Sequence, residues 1–156
     1  MTFQLIYTSE ATDITWPWPE ARIETLQNIL EKARANNHTK GITGALVYVE
    51  GVFLQILEGN ESDVKILAER ISRDDRHAGF KVLLEKEVTE RLFGAWDMAC
   101  IRPSAKEMAG WASMDGTTTV TDIVNKLQKE SGRLADLVTN IVKSHAGSGP
   151  AFRGEV

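Results

Sequence analysis

The chain has 156 residues, 42% of them hydrophobic and 26% charged, with a formal net charge of −4. That is enough chain for one domain burying about 70% of its unfolded surface. The mildly acidic balance, without a basic block, gives phosphate-driven nucleic-acid binding no electrostatic footing. The single cysteine, Cys100, excludes an intramolecular disulfide framework and a multi-cysteine zinc site. No apolar run reaches the ~18 residues of a membrane span, and the start Met1-Thr-Phe-Gln-Leu-Ile-Tyr7 lacks the charged region and cleavage site of a signal peptide. A soluble cytoplasmic protein with no nucleic-acid or membrane partner is the expectation.

Phe3 to Thr8 reads as a strand, with Phe3, Leu5 and Tyr7 on one face by the two-residue period. A turn-rich stretch from Ser9 to Pro19 follows, in which Trp16-Pro-Trp-Pro19 cannot sit inside a helix. From Glu20 to Asn36 the apolar residues Ile23, Leu26, Ile29, Leu30 and Ala33 recur at three- and four-residue spacing, which predicts an amphipathic helix. A continuation of that helix carries Asn37 on the same face.

Ile42–Val49 and Val52–Glu58 are apolar runs joined by Glu50-Gly51, a hairpin signal. The second run is apolar on both faces and so predicts a central strand. A second helix is expected with Ser62 as N-cap and Val64, Leu67, Ala68 and Ile71 on its inner face. After the loop Arg73–His77, strands are expected over Phe80–Val88 and Trp96–Ile101. Pro103–Ala112 suggests a short helix and Thr119–Ser144 a long one, weakened in its middle by Gly132. The order is βαββαββ, an α+β class of ferredoxin-like type: a mixed sheet with two helices on one face, plus C-terminal helices. The expected divisions are residues 1–102 as the folded domain, 103–145 as a helical extension and 146–156 as a flexible tail.

No Walker loop, G-x-S-x-G, H-E-x-x-H or G-x-G-x-x-G motif is present. His38, His77 and His145 are not at ligand spacing, so no metal site is expected. The informative residues are polar ones in apolar places. Gln55 interrupts an apolar strand, and a buried amide without partners costs about 1–3 kcal/mol, so it must meet a polar group. Tyr7, on the inward face of the first strand, is a candidate partner if the two strands are neighbours. Taken singly, each also reads as an ordinary core hydrogen bonder. Asn37 likewise reads as a helix terminator, Asp74, Arg76 and His77 as solvated charge, and Trp96 and Met98 as core or edge filler.

Taken in order, Tyr7-Thr-Ser9, Asn36-Asn37, Gly41-Ile-Thr-Gly44, Val52-Phe-Leu-Gln-Ile-Leu-Glu-Gly59, Asp74-Asp-Arg-His77 and Arg91-Leu-Phe-Gly-Ala-Trp-Asp-Met98 resemble the BLUF family, the blue-light sensors that use FAD. The resemblance runs from about Phe3 to Cys100. It implies a flavin ring held between Ile29 and Ile71, with Asn37 bonding its polar edge and Asp74, Arg76 and His77 lining it. Tyr7 and Gln55 are implied as the photoactive pair, and Trp96 and Met98 as the relay to the C-terminal helices. FAD is the implied cofactor, with FMN or riboflavin as ring-equivalent occupants. A flat apolar ring with a hydrogen-bonding rim needs such aliphatic walls and placed amides.

The resemblance also implies a photoreceptor rather than an enzyme, acting through a downstream signalling protein or its own homo-oligomer. Two other readings stand beside it: a light-insensitive ferredoxin-like module for ligand binding or dimerisation, and a flavin-dependent oxidoreductase. The stretch Ser9–Glu20, with its two tryptophans, is longer than the family pattern. The apolar stripe from Val120 to Val142 needs covering, by the exposed sheet face or by another subunit, and the sheet face is the expected cover for at least one C-terminal helix.

Overall fold

The computed structural model describes residues 2–11, 40–49, 51–73, 77–93, 99–101, 105–111, 120–129 and 133–145. The helix expected over Glu20–Asn36, the Trp16–Pro19 stretch and the tail lie outside these residues. Strands β1 (Thr2–Ala11), β2 (Thr43–Val49), β3 (Val52–Gly59), β4 (His77–Val88) and β5 (Ala99–Ile101) form one sheet in the order β4-β1-β3-β2-β5. The sheet is mixed: β2 and β5 are parallel and the other neighbouring pairs antiparallel. Helix α1 (Glu61–Ser72) follows β3, and α2 (Ala105–Trp111), α3 (Val120–Gln128) and α4 (Arg133–His145) follow β5.

The β2–β3 hairpin forms where the pattern places it. Val49 pairs with Val52, and Gly51 adopts φ +87°, a backbone that a two-residue hairpin turn requires and side chains resist. Gly44 has a different reason to be glycine. A Cβ there would lie 2.0 Å from the Ile56 carbonyl oxygen, so the neighbouring strand leaves no room for a side chain. As its two apolar faces predict, β3 is the central strand.

Strand β1 runs three residues beyond the expected Thr8, because Glu10 and Ala11 pair with Ala78 and His77 of β4. Ser9 therefore belongs to the strand rather than to a turn, and β4 begins at His77 rather than Phe80. The β1–β4 register slips twice, between Ile6 and Tyr7 and between Thr8 and Glu10, each time leaving one extra residue on β4. Gly79, at φ +65°, sits in the second slip.

The sheet separates two apolar layers. Phe3, Leu5, Tyr7, Leu46 and Leu57 pack on one face with Val64 and Ala68 of α1. Ile6, Ala45, Val47, Leu54 and Ile56 face the other way, against Met108, Ile123, Leu127, Leu137, Val138 and Ile141 of the C-terminal helices. Each fully buried Leu or Ile contributes about 1.5–3 kcal/mol of transfer free energy. All three C-terminal helices share this core, so the expected cover for the sheet face is present.

Two local expectations are corrected. The N-cap of α1 is Asn60, not Ser62: the Asn60 side chain accepts from the Ser62 and Asp63 amides at 3.0 and 3.4 Å. Ser62 lies inside the first turn, where Glu61 and Asp63 also meet the positive end of the helix dipole. The long helix expected over Thr119–Ser144 is two helices, α3 and α4. Gly132 falls between them, where a glycine costs about 1 kcal/mol relative to alanine in a helix. An unbroken helix of that length would run roughly 39 Å, whereas two shorter ones fold both apolar stripes onto one sheet face.

Candidate functional site

The site is built on the α1 face of the sheet, on the central strand β3 and its neighbour β1. Tyr7 of β1 and Gln55 of β3 are direct cross-strand partners, so both side chains leave the sheet on the same side. They are 4% and 7% exposed, and the Tyr7 hydroxyl donates to Gln55 Oε1 at 2.5 Å. This answers the burial problem posed by each residue alone. An amide carries two acceptor lone pairs and two donors, so Gln55 can receive the phenol at its oxygen and present N–H groups from the same side chain.

Phe80 packs against Tyr7 with ring centroids 4.5 Å apart. His77 lies 6.4 Å from Tyr7 and meets Phe53 and Phe80 edge-on. The β4 irregularity explains how His77 and Phe80, three residues apart, reach one aromatic cluster: in a regular strand they would face opposite sides, and the extra residue at Gly79 re-aims them.

Both ring nitrogens of His77 are engaged. Nε2 donates to the Ile71 carbonyl at 2.5 Å, and Nδ1 is 2.7 Å from Ser9 Oγ. A carbonyl oxygen only accepts, so Nε2 bears the proton, and in the neutral ring Nδ1 accepts from the Ser9 hydroxyl. His77 thereby ties the end of α1 to β1 and holds Ile71, half-buried, against the Tyr7 layer.

Among the described residues, the buried polar side chains Gln4, Ser9, Thr43, Gln55 and Glu58 resolve into three networks. One is Tyr7–Gln55 and the second Ser9–His77. The third, at the far end of β3, joins Glu58 to Gln4 and to the Leu92 and Phe93 amides, with Arg91 bonding the Gly41 carbonyl and Thr43 hydroxyl. Away from the site, Lys65 on α1 lies over the Phe3 ring. It is held above its ordinary pKa by a hydrogen bond to Glu61 and by that carboxylate's charge.

Of the residues singled out from the sequence, Tyr7, Gln55, Ile71 and His77 come together here. Ile29, Asn37, Asp74, Arg76, Trp96 and Met98 lie outside the described residues. Ser9, Phe80 and Glu58 were not among the expected site residues. Glu58 carried the same signal as Gln55, a polar side chain in an apolar strand, whereas Ser9 and Phe80 depend on the β4 register.

The described residues fit a flavin on chemical grounds. An aliphatic side chain, Ile71, and an aromatic cluster supply apolar wall, and Gln55 supplies donors beside a buried phenol, which suits a flat heterocycle with a polar rim.

The chain is similar over 96 residues, at 33% identity, to photoactivated adenylate cyclase subunit alpha of Euglena gracilis, a match covering 61% of this chain and 9% of that protein. It thus spans about a tenth of the length of the curated relatives it matches. Among solved structures, BlsA in its photo-activated state matches with a TM-score of 0.75 at 26% identity, covering 91% of this chain and 95% of that one. The dark-state structure of the BLUF protein BlrB matches with a TM-score of 0.68 at 25% identity, covering 92% and 96%. Residues 2–99 match the family model described as sensors of blue light using FAD. With the Tyr7–Gln55 pair in place and nearly two-thirds of the sequence matched, the chain belongs to the BLUF family of blue-light flavin sensors.

Proposed function

We propose that this chain is a photoreceptor whose switch is the Tyr7–Gln55 pair and whose output passes through its C-terminal helices to an effector. The observation that carries the reading is the hydrogen bond from the buried Tyr7 hydroxyl to Gln55 Oε1. In this reading FAD is the chromophore, held between Ile29 and Ile71, with Asn37 at its polar edge and Asp74, Arg76 and the ring of His77 along it.

Bound flavin supplies blue-light absorption and an excited state that accepts an electron and a proton. Tyr7 is the residue that would release an electron and its hydroxyl proton and take both back, so no substrate would be consumed. While the Tyr7 hydroxyl is without its proton, it no longer donates to Gln55 Oε1, and the amide is released to rotate or tautomerise. Once Tyr7 is restored, Gln55 bonds its neighbours in the new arrangement. Gln55 would hold the chromophore's polar edge by a hydrogen bond that differs between the two arrangements, and the strand carrying Gln55 would pass the change to its neighbours. Trp96 and Met98, just ahead of β5, are the proposed relay.

The sensor corresponds to residues 1–102 and the output layer to residues 103–145, with 146–156 as a tail. The apolar core shared by the sheet and α2–α4 supports a direct mechanical route between the two. The relatives named as photoactivated cyclases support an effector as the target, supplied by a partner protein or reached through a homo-oligomer.

The test is the visible spectrum of dark-purified protein, repeated immediately after blue light and during dark recovery. A flavin spectrum that shifts slightly red without bleaching and then reverts is the expected result. Bleaching would favour redox chemistry, and failure to bind flavin on reconstitution would leave a light-insensitive module. Solvent-extracted chromophore identified by mass separates FAD from FMN.

A further inference from the structure

Glu58 is fully buried, and a carboxylate removed from water costs several kcal/mol unless hydrogen bonds replace its hydration. Its two oxygens accept three hydrogen bonds, two of them from consecutive amides of one short stretch of chain. Oε1 accepts from the Phe93 amide at 2.8 Å, and Oε2 accepts from the Leu92 amide at 2.8 Å and from Gln4 Nε2 at 3.3 Å. Amide bonds to an ionised acceptor are about twice as strong as neutral ones. Arg91, the next residue back, fastens the same stretch to the sheet through the Gly41 carbonyl at 2.6 Å, the Thr43 hydroxyl at 3.0 Å and the Glu58 carbonyl at 3.4 Å.

The position of this latch gives it a consequence beyond holding a loop. Gln55 and Glu58 are three residues apart on β3, so they leave opposite faces of the sheet. Gln55 faces the α1 layer beside Tyr7, and Glu58 shares the face of Leu54 and Ile56. Phe93, held by Glu58, is buried in the core formed with Met108, Ile123, Leu137 and Ile141. A continuous physical path therefore crosses the sheet, from the Gln55 amide along β3 to the Glu58 carboxylate, the Phe93 amide and the C-terminal core.

We infer that Glu58 is a positioning residue that transmits the state of Gln55 from one face of the sheet to the C-terminal helices. It acts by loosening its grip on Leu92 and Phe93 when β3 responds to the light-driven rearrangement. The inference rests on the photoreceptor reading above. Its two-state element is the paired bond from one carboxylate to two consecutive amides, which the proposed switch strand biases.

Amide hydrogen exchange on the full flavin-loaded chain, in darkness and under continuous blue light, tests it. In the natural chain the Leu92 and Phe93 amides are expected to exchange about tenfold faster in the light, the loss of roughly one charge-assisted bond, with α4 exchange rising alongside. In Glu58→Gln one acceptor oxygen is replaced by an amide that meets the backbone N–H donor to donor. That variant is expected to keep the flavin red shift but lose most of the light-minus-dark difference in α4. Undiminished transmission in Glu58→Gln, or Leu92 and Phe93 amides indifferent to light in the natural chain, overturns the inference; the second result decides the matter even if the variant does not fold. A red shift with no change at Leu92 and Phe93 removes only the Glu58 route. Absence of the red shift in the natural chain removes the photoreceptor reading and this inference with it.

Discussion

A buried phenol and a buried amide each need a partner, and Tyr7 and Gln55 satisfy one another across adjacent strands. The pairing makes each residue's substitution a statement about the other. Tyr7→Phe keeps the ring and its packing on Phe80 but removes the donor to Gln55 Oε1, so a stability loss of about 1–3 kcal/mol is expected. Flavin should remain bound while the light-induced red shift disappears from the absorption spectrum. Gln55→Leu reverses the defect, leaving the Tyr7 hydroxyl without that acceptor, and should likewise bind flavin and lose the shift. A normal photocycle in either variant would remove that residue from the mechanism. Both residues were legible in the sequence because each is a polar group where the alternation calls for an apolar one. Ser9 and Glu58 were less so. Ser9 stands beside a turn-rich stretch and becomes a strand residue only through its pairing with β4, and what a buried carboxylate grips is set by chain thirty-four residues away.

Among the elements, the β2–β3 hairpin, the central place of β3 and the inner face of α1 followed from periodicity and turn chemistry, which are local properties. What escaped was non-local. The two slips that rotate β4 so that His77 and Phe80 meet Tyr7 exist only in the register between two strands, and no window of sequence contains both. The division of α3 from α4 lets both apolar stripes enter one core on a single sheet face, a demand that no local window of sequence states. The N-cap of α1 is a smaller case, because Asn60 and Ser62 are both good caps and the distinction depends on where the chain leaves β3. Asn60→Ala should therefore cost about 1 kcal/mol. Ser62→Ala, inside the first turn, should leave stability within about 0.5 kcal/mol of the natural chain. Urea midpoints of the two variants check this, and a larger loss in Ser62→Ala would return the cap to that residue.

At the scale of the molecule, the sheet is a partition with the candidate photochemistry on one side and the C-terminal helices on the other, and each face depends on the same central strand. Leu54 and Ile56 enter the C-terminal core from between and beside the residues that bear Gln55 and Leu57 on the opposite face. A strand shared in this way cannot change its pairing on one face without disturbing packing on the other, because close-packed interiors transmit strain rather than absorb it. The same sharing makes the described sheet and helices one cooperative unit. Leu137→Ala, in α4 and far along the chain from Tyr7, should cost about 2–5 kcal/mol. It should lower the denaturation midpoint of the whole domain, seen equally by far-ultraviolet ellipticity and by release of bound flavin. If the C-terminal helices were an independent layer, ellipticity would show an early transition while flavin stayed bound to an intact sheet. Coincident curves shifted together are the expected result, since a core common to both layers gives the helices no separate way to unfold.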